Sequence, residues 1–187
     1  MPLPEHPRRI RVMGVSGAGK TTLAAEVARR TGLAHLELDA VFWDADWTHR
    51  DLDDAHRLIE AFVSAHPDGW VIDGDWPSRL EGRLDPGAPG GADLVVWLDH
   101  PRPVVIWRIL RRTLRRGILR QELWHGNRER PSTWLAPDPE SNIILWAWTR
   151  HPLVRDRMAT RLTQWPMVRL TGQRAVDAWL AGLPRTR

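Results

Sequence analysis

A chain of 187 residues with 42% hydrophobic content has the length of one domain and can bury a core. It carries 27 Lys plus Arg against 23 Asp plus Glu, a formal charge of +4 that points to an anionic partner, either phosphorylated small molecules or nucleic acid. The absence of cysteine excludes disulfides and thiolate metal sites, the eight histidines show no H-x-x-x-H pairing that would suggest zinc, and no apolar run approaches the roughly 18 residues of a membrane span.

The N-terminal Met1-Pro2-Leu3-Pro4-Glu5-His6-Pro7 lacks the apolar core of a signal peptide, so a cytoplasmic location is expected. Ile10-Arg11-Val12-Met13 reads as a short strand. The next stretch, Gly14-Val15-Ser16-Gly17-Ala18-Gly19-Lys20-Thr21, fits the pattern G-x-x-x-x-G-K-[ST] at every fixed position and is followed by Thr22. Its glycines let the backbone turn N–H groups toward one concave point, and the helix expected from Lys20 to Thr31 aims its positive dipole end at the same place. A triphosphate fits that arrangement, with Lys20 reaching its terminal phosphates and the Thr21 hydroxyl on Mg²⁺. Lys20 is also the single lysine in a chain whose other basic residues are all arginine. A compact, flexible ammonium has thus been kept where a planar guanidinium would not serve.

Gly32 suits the left-handed position after that helix, and His35 to Asp39 reads as a second strand ending in a carboxylate. The aromatic and acidic stretch 40–47 has no helical period and reads as an ordered loop. Thr48 with Asp51 resembles a capping box opening a helix to about Ala65, with Trp47 stapled on Leu52. Trp70 to Gly74 is a buried strand ending in Asp-Gly, residues 74–93 read as a connection with little regular structure, and Leu94 to Asp99 is a continuous apolar strand. Pro101 and Pro103 open a helix from Val104 to about Arg116, stopped by Gly117. Its buried side is expected to hold Ile106, Trp107, Leu110 and Leu114. A helix begins at Ile143, Pro152 should end or kink it before a further helix to Gln164, and a last strand, Met167 to Leu170, leads past Gly172 into a closing helix, Arg174 to Ala181. Strands alternating with helices give an α/β three-layer domain with a parallel sheet, whose ligand lies beyond the carboxyl ends of the strands.

Three carboxylates stand at those ends. Asp73, before Gly74, suits the acidic element that serves Mg²⁺, unless it only forms a turn; Asp39 suits contact with an acceptor hydroxyl, or a cap; Asp99 suits a helix N-cap. Arg79, shortly after Asp73, is placed to meet an anionic group of an acceptor. Seven arginines, Arg102, Arg108, Arg111, Arg112, Arg115, Arg116 and Arg120, crowd a stretch without acidic residues. A solvated face, a nucleic-acid patch and a lid that clamps the transferring phosphoryl all fit, and the triphosphate loop favours the lid.

With these residues in view, the chain resembles the small P-loop kinases of the adenylate kinase and shikimate kinase type, and more closely the bacterial group called topology modulation or adenylate-kinase-like proteins. The resemblance runs through Val12 to Thr22, Leu38-Asp39-Ala40-Val41-Phe42-Trp43, Trp70 to Gly74, Val96 to Asp99, Leu110 to Thr113, Glu122-Leu123-Trp124, Gly126 to Glu129 and Leu145 to Trp148. It implies a five-stranded parallel sheet in the order 2-3-1-4-5 within a single domain, 1–187. It also implies ATP with Mg²⁺, an acceptor-binding region over 40–66 that includes Asp39 and Trp43, and an arginine-rich lid over about 111–145. Asp73 would serve the metal and border the acceptor, Arg108, Arg111, Arg112 and Arg115 would meet the transferring phosphoryl, and Gln173 and Arg174 would lie near the adenine. The implied activity is phosphoryl transfer to a nucleoside, nucleotide or related hydroxyl compound; a nucleotide-dependent nucleic-acid-binding or regulatory ATPase is the alternative. Where adenylate kinases carry Asp-Gly-Phe-Pro-Arg followed by a glutamine that reads adenine, this chain has Asp73-Gly74-Asp75-Trp76-Pro77-Ser78-Arg79 and no matching glutamine, which argues against AMP as acceptor. The loop sequence also occurs in gluconate kinases, whose later motifs are not followed here.

Overall fold

Five parallel strands, β1 (Arg9–Met13), β2 (Ala34–Glu37), β3 (Trp70–Asp73), β4 (Leu94–Leu98) and β5 (Met167–Leu170), form one sheet in the order 2-3-1-4-5. The computed structural model describes residues 3–119, 121–129, 138 and 142–184. Arg120 and the lid residues 130–137 and 139–141 therefore lie outside the described residues. Among the described residues no helix is long and apolar enough to cross a membrane.

Helices cover both faces because alternate strand residues are apolar in both directions. On one face Ile10, Val12, Val71, Val96 and Leu98 pack with α1 (Lys20–Thr31), α5 (Arg102–Ile118) and α7 (Gln173–Ala181) through Leu23, Val27, Val105, Ile109 and Val176. On the other, Trp70 and Ile72 pack with α3 (Leu52–Ala65), while Met13, Val95 and Trp97 pack with α6 (Ile143–Arg161). Arg11 shares that second face at 1% exposure and donates to Asp85 at 2.7 Å, tying down the connection between β3 and β4. Burial lowers the Arg11 pKa, and the Asp85 and Asp75 charges oppose the shift. That connection also holds a short helix, α4 (Pro77–Leu80), beyond the irregular segment expected.

The register brings the chemically interesting residues to one edge. Val12 stands opposite Asp73 and Val96, and Glu37 stands opposite Asp73, so the loop after β1 and two carboxylates emerge side by side.

Several local expectations are corrected. The strand expected to reach Asp39 ends at Glu37, where the chain turns into α2 (Leu38–Phe42). The N-cap of α3 is Asp51, whose carboxylate accepts from the N–H groups of Asp53 and Asp54, whereas Thr48 donates its hydroxyl to Ala45 O. Gly117 lies inside α5, which continues to Ile118. Asp99 does not cap α5, whose N-cap is Pro101; it accepts from Arg169 Nε at 2.8 Å and pairs with Arg155 at 3.5 Å.

The most informative correction is Pro152, which neither ends nor divides α6. A proline removes the N–H that would bond the carbonyl four residues back, here Trp148. In this fold Arg102 Nη2 donates to Trp148 O at 2.5 Å, and the Arg102 guanidinium lies over the Trp148 ring at 3.6 Å. A side chain from α5 thus supplies the missing donor.

Gly74 has φ of +123°, and a Cβ there would stand 2.7 Å from Leu38 Cβ. Gly74→Ala is expected to cost about 1–3 kcal/mol, read as a Tm drop of several degrees in thermal unfolding.

Candidate active site

The loop between β1 and α1 is shaped by Gly14, Gly17 and Gly19, with φ of +146°, +79° and +96°. Gly17 is also required by space, because a Cβ there would sit 2.3 Å from Ile109 Cγ1 of α5. Ala18 N–H donates to Val15 O at 3.1 Å and closes the turn, with Ser16 half-buried beside it. Lys20 opens α1 and lays its Nζ 3.2 Å from Val15 O, across the mouth of its own loop. No acidic residue occupies the first turn of α1, so the positive helix end is left to a ligand. Thr22, the next residue after Thr21, is exposed.

Below the loop, Thr21 Oγ1 donates to Asp73 Oδ1 at 2.9 Å. The other oxygen, Asp73 Oδ2, lies 2.7 Å from His35 Nε2, and the residue is only 3% exposed. A hydroxyl and a buried carboxylate meeting at the base of a phosphate loop form an oxygen donor pair suited to a hard cation such as Mg²⁺.

Glu37 was missed by reading the residues, which placed the strand-end carboxylate at Asp39. His35 and Glu37 alternate onto one side of β2, and that alternation was the available signal. Burial pushes the Glu37 carboxyl above its ordinary range. The Trp124 indole, donating to Glu37 Oε2 at 3.0 Å, opposes the shift, and the Asp73 and Asp39 charges reinforce it. Asp39, in the first turn of α2, accepts from Trp76 Nε1 at 2.7 Å.

α5 brings two of the four candidate arginines to this edge. Arg108 Nη1 donates to Ala18 O at 3.0 Å and its Nη2 to Gln173 Oε1 at 2.9 Å, linking the loop to the start of α7. Arg112 is half-buried between the charges of Asp39, Glu129 and Arg116, and its buried Nε has no hydrogen-bond partner among the described residues. Burial lowers its pKa, Arg116 adds to the shift, and Glu129 and Asp39 oppose it. Arg111 and Arg115 are exposed and are not brought to the site. Trp107 and Leu114, expected in the core, are 66% and 49% exposed, because α5 is turned to bury Val105 and Ile109 instead. Gln173 and Arg174 are exposed at the start of α7, behind Gly172, whose N–H donates to His100 Nδ1 at 3.2 Å. Burial, with the Arg108 charge, lowers the His100 pKa and favours the neutral ring that can accept this bond.

The region expected to meet an acceptor is walled by aromatic rings. Phe42 and Trp43 have ring centres 5.0 and 5.4 Å from that of Trp76, and Trp43 stacks on His49 at 4.4 Å. Arg79 lies 5.3 Å from the Phe42 ring centre and donates to Arg50 O at 2.5 Å.

Over this wall two turns clasp each other. Ala45–Trp47 and Trp124–Gly126 each form one 3-10 turn with left-handed non-glycine residues inside, Asp46 and Trp47 in the first and His125 in the second, and each turn is closed by an antiparallel bridge. Asn127, 4% exposed, accepts from Trp47 N–H at 2.9 Å and donates to Asp44 O at 2.7 Å. Trp47 Nε1 donates to Arg128 O at 3.2 Å, so the Trp47 indole reaches the clasp as well as packing edge-on to Trp43. His125 Nε2 lies 2.8 Å from Ala40 O and donates to it, which leaves that nitrogen no lone pair for Arg50 Nη2 at 3.2 Å.

No family model matches the chain. Over 113 residues, 58% of the chain, it is 26% identical to the uncharacterized protein YqaC of Bacillus subtilis (strain 168), and the match spans 58% of that protein. Among solved structures, shikimate kinase from Acinetobacter baumannii in complex with shikimate aligns with a TM-score of 0.56 at 15% identity, covering 91% of this chain and 88% of that one. Deoxyadenosine kinase from M. mycoides aligns with a TM-score of 0.50 at 12% identity, covering 92% and 94%. The fold is that of the P-loop kinases.

Asn127→Ala leaves Trp47 N–H and Asp44 O without their partner and should cost about 1–3 kcal/mol, with faster hydrogen exchange over 44–47 and 123–128. Glu37 keeps its proton to higher pH in the folded chain than in the unfolded one. Stability is therefore lost as pH rises from the ordinary carboxylate range through the raised folded value. Glu37→Gln should accordingly be more stable than the parent at neutral pH, with the advantage vanishing in acid; equal melting at both pH values would contradict this.

Proposed function

We propose that this chain is an ATP- and Mg²⁺-dependent kinase that transfers the γ-phosphoryl group to a hydroxyl of a small acceptor. The observation that carries the reading is the meeting of Thr21 and Asp73 at 2.9 Å beneath the loop that ends in Lys20. The loop N–H groups and Lys20 hold the β- and γ-phosphates, with the ammonium leaving Val15 O as the phosphates arrive. Thr21 and Asp73 would hold Mg²⁺, with Glu37 alongside. When bound, the cation neutralises charge that builds on the phosphate oxygens. Gln173 and Arg174, at the start of α7, border the adenine.

Asp39, fixed by the Trp76 indole, accepts the hydrogen bond of the attacking hydroxyl and orients a lone pair toward the γ-phosphorus. The new O–P bond forms as the bond to the β,γ-bridging oxygen breaks, ADP departs, and the hydroxyl proton passes to Asp39 or to the transferred phosphate. Arg108 and Arg112, rather than Arg111 and Arg115, face this step. An arginine whose buried Nε has no hydrogen-bond partner among the described residues is placed to take charge that develops only in the transition state. The clasped turns cover the acceptor wall and keep water from competing for the phosphoryl group. Trp43, Trp76 and Arg79 line the acceptor's place, with Arg79 suited to an anionic substituent.

The test is ADP release from Mg·ATP across a panel of nucleosides, nucleotides and small hydroxyl compounds. One acceptor class should stimulate release; Arg112→Ala should lower kcat by about 10³ to 10⁵ with Mg·ATP affinity retained, and Lys20→Met should weaken nucleotide binding itself. Tight Mg·ATP binding with no stimulation by any acceptor would rule against a kinase.

A further inference from the structure

α5 has three faces, and only two have partners among the described residues. Val105 and Ile109 pack into the core, and Arg108 and Arg112 face the phosphate site. The third carries Val104, Trp107, Leu114 and Ile118, exposed by 40%, 66%, 49% and 76%, with Leu119 beyond them at 62%. These five make up the majority of the nine large hydrophobic side chains exposed among the described residues, so the exposure is concentrated on one helix. Scattered exposed apolar residues are ordinary, whereas a concentrated stripe marks a contact surface.

The spacing identifies what kind of contact. Positions 104, 107, 111, 114 and 118 advance by three, four, three and four residues, the a/d repeat of a coiled-coil seam. A helix resting on a globular core shows a broader stripe. In this seam the central a position is Arg111, and Arg115 flanks it at an e position. Both are exposed, neither has an ion pair among the described residues, and no acidic residue occurs between Arg102 and Leu119.

Charge then narrows the occupant. Parallel pairing with a second copy would set Arg111 against Arg111, and antiparallel pairing would set the flanking arginines against one another, with no carboxylate to relieve either. A nucleic-acid backbone would satisfy the arginines but leave Val104, Leu114 and Ile118 in water. We infer that this face of α5 docks an α-helix of another protein, one with apolar residues at its seam positions and carboxylates opposite Arg111 and Arg115. The seam lies on the helix whose inner side holds Arg108 and Arg112, so the docked helix stands within about one helix diameter, 10–12 Å, of the proposed phosphate site.

The probe is a synthetic three-heptad helical peptide with leucine at its a and d positions and glutamate at the central a and at g, titrated by fluorescence anisotropy against the full chain at two salt concentrations. A matched peptide carrying lysine for each glutamate is the control. The acidic peptide should bind at roughly micromolar Kd and weaken with salt, and the lysine peptide should not bind. Trp107→Ser with Ile118→Ser should reduce affinity at least about tenfold while leaving the Tm unchanged. Arg111→Glu should reverse the preference between the two peptides. The inference is overturned by failure of the acidic peptide to bind, by equal binding of both peptides, or by a salt-stable dimer that the Trp107/Ile118 change dissolves. It is overturned equally if that change instead abolishes binding to duplex DNA or anionic vesicles. None of these readouts depends on kinase activity.

Discussion

Ile109 occupies the space a side chain on Gly17 would need, and that single close approach sets the rotation of α5 against the phosphate loop. Once Ile109 and Val105 point inward, Arg108 must lie over the loop, where it donates to Ala18 O, and Arg112 follows one turn later toward Asp39. The same rotation turns Trp107, Leu114 and Ile118 outward. Loop conformation, arginine placement and the exposed seam are thus consequences of one packing contact.

A second constraint is the concentration of negative charge at the strand ends. Glu37 and Asp73 are register partners, and Asp39 follows one turn away. Asp73 is buried and Glu37 and Asp39 are half-buried, and carboxylates this close repel one another unless donors or cations intervene. Thr21, Trp76 and Trp124 donate to Asp73 Oδ1, Asp39 Oδ1 and Glu37 Oε2, and His35 Nε2 lies 2.7 Å from Asp73 Oδ2. A neutral indole satisfies an oxygen without cancelling its charge. Trp124 also belongs to the covering turn, so acidic edge and cover are joined through one bond.

The chain's twelve tryptophans have a related use. Trp47, Trp76 and Trp124 each spend the indole N–H on a bond to another segment, while Trp70 and Trp97 are buried in the sheet. An indole combines a large apolar body with one fixed donor, which suits segments that must pack closely and still hold a definite position.

The phosphate loop, the five strands and their parallel arrangement were legible in the residues, because each depends on local pattern: a fixed glycine spacing, continuous apolar runs, and strands alternating with helices. Thr21 and Asp73 could be paired in advance, since both sit at strand or helix ends that a parallel sheet brings to one edge. Glu37 was passed over despite its alternation with His35, because the end of β2 depends on where α2 begins, and Asp39 offered the same chemistry two residues on. The fate of Pro152 could not be read in advance, because its missing N–H is replaced by Arg102, fifty residues earlier. Which arginines face the site, and which aromatic residue on α5 faces water, was decided only by tertiary packing: helical periodicity defines the faces of a helix, but the neighbour's shape chooses among them.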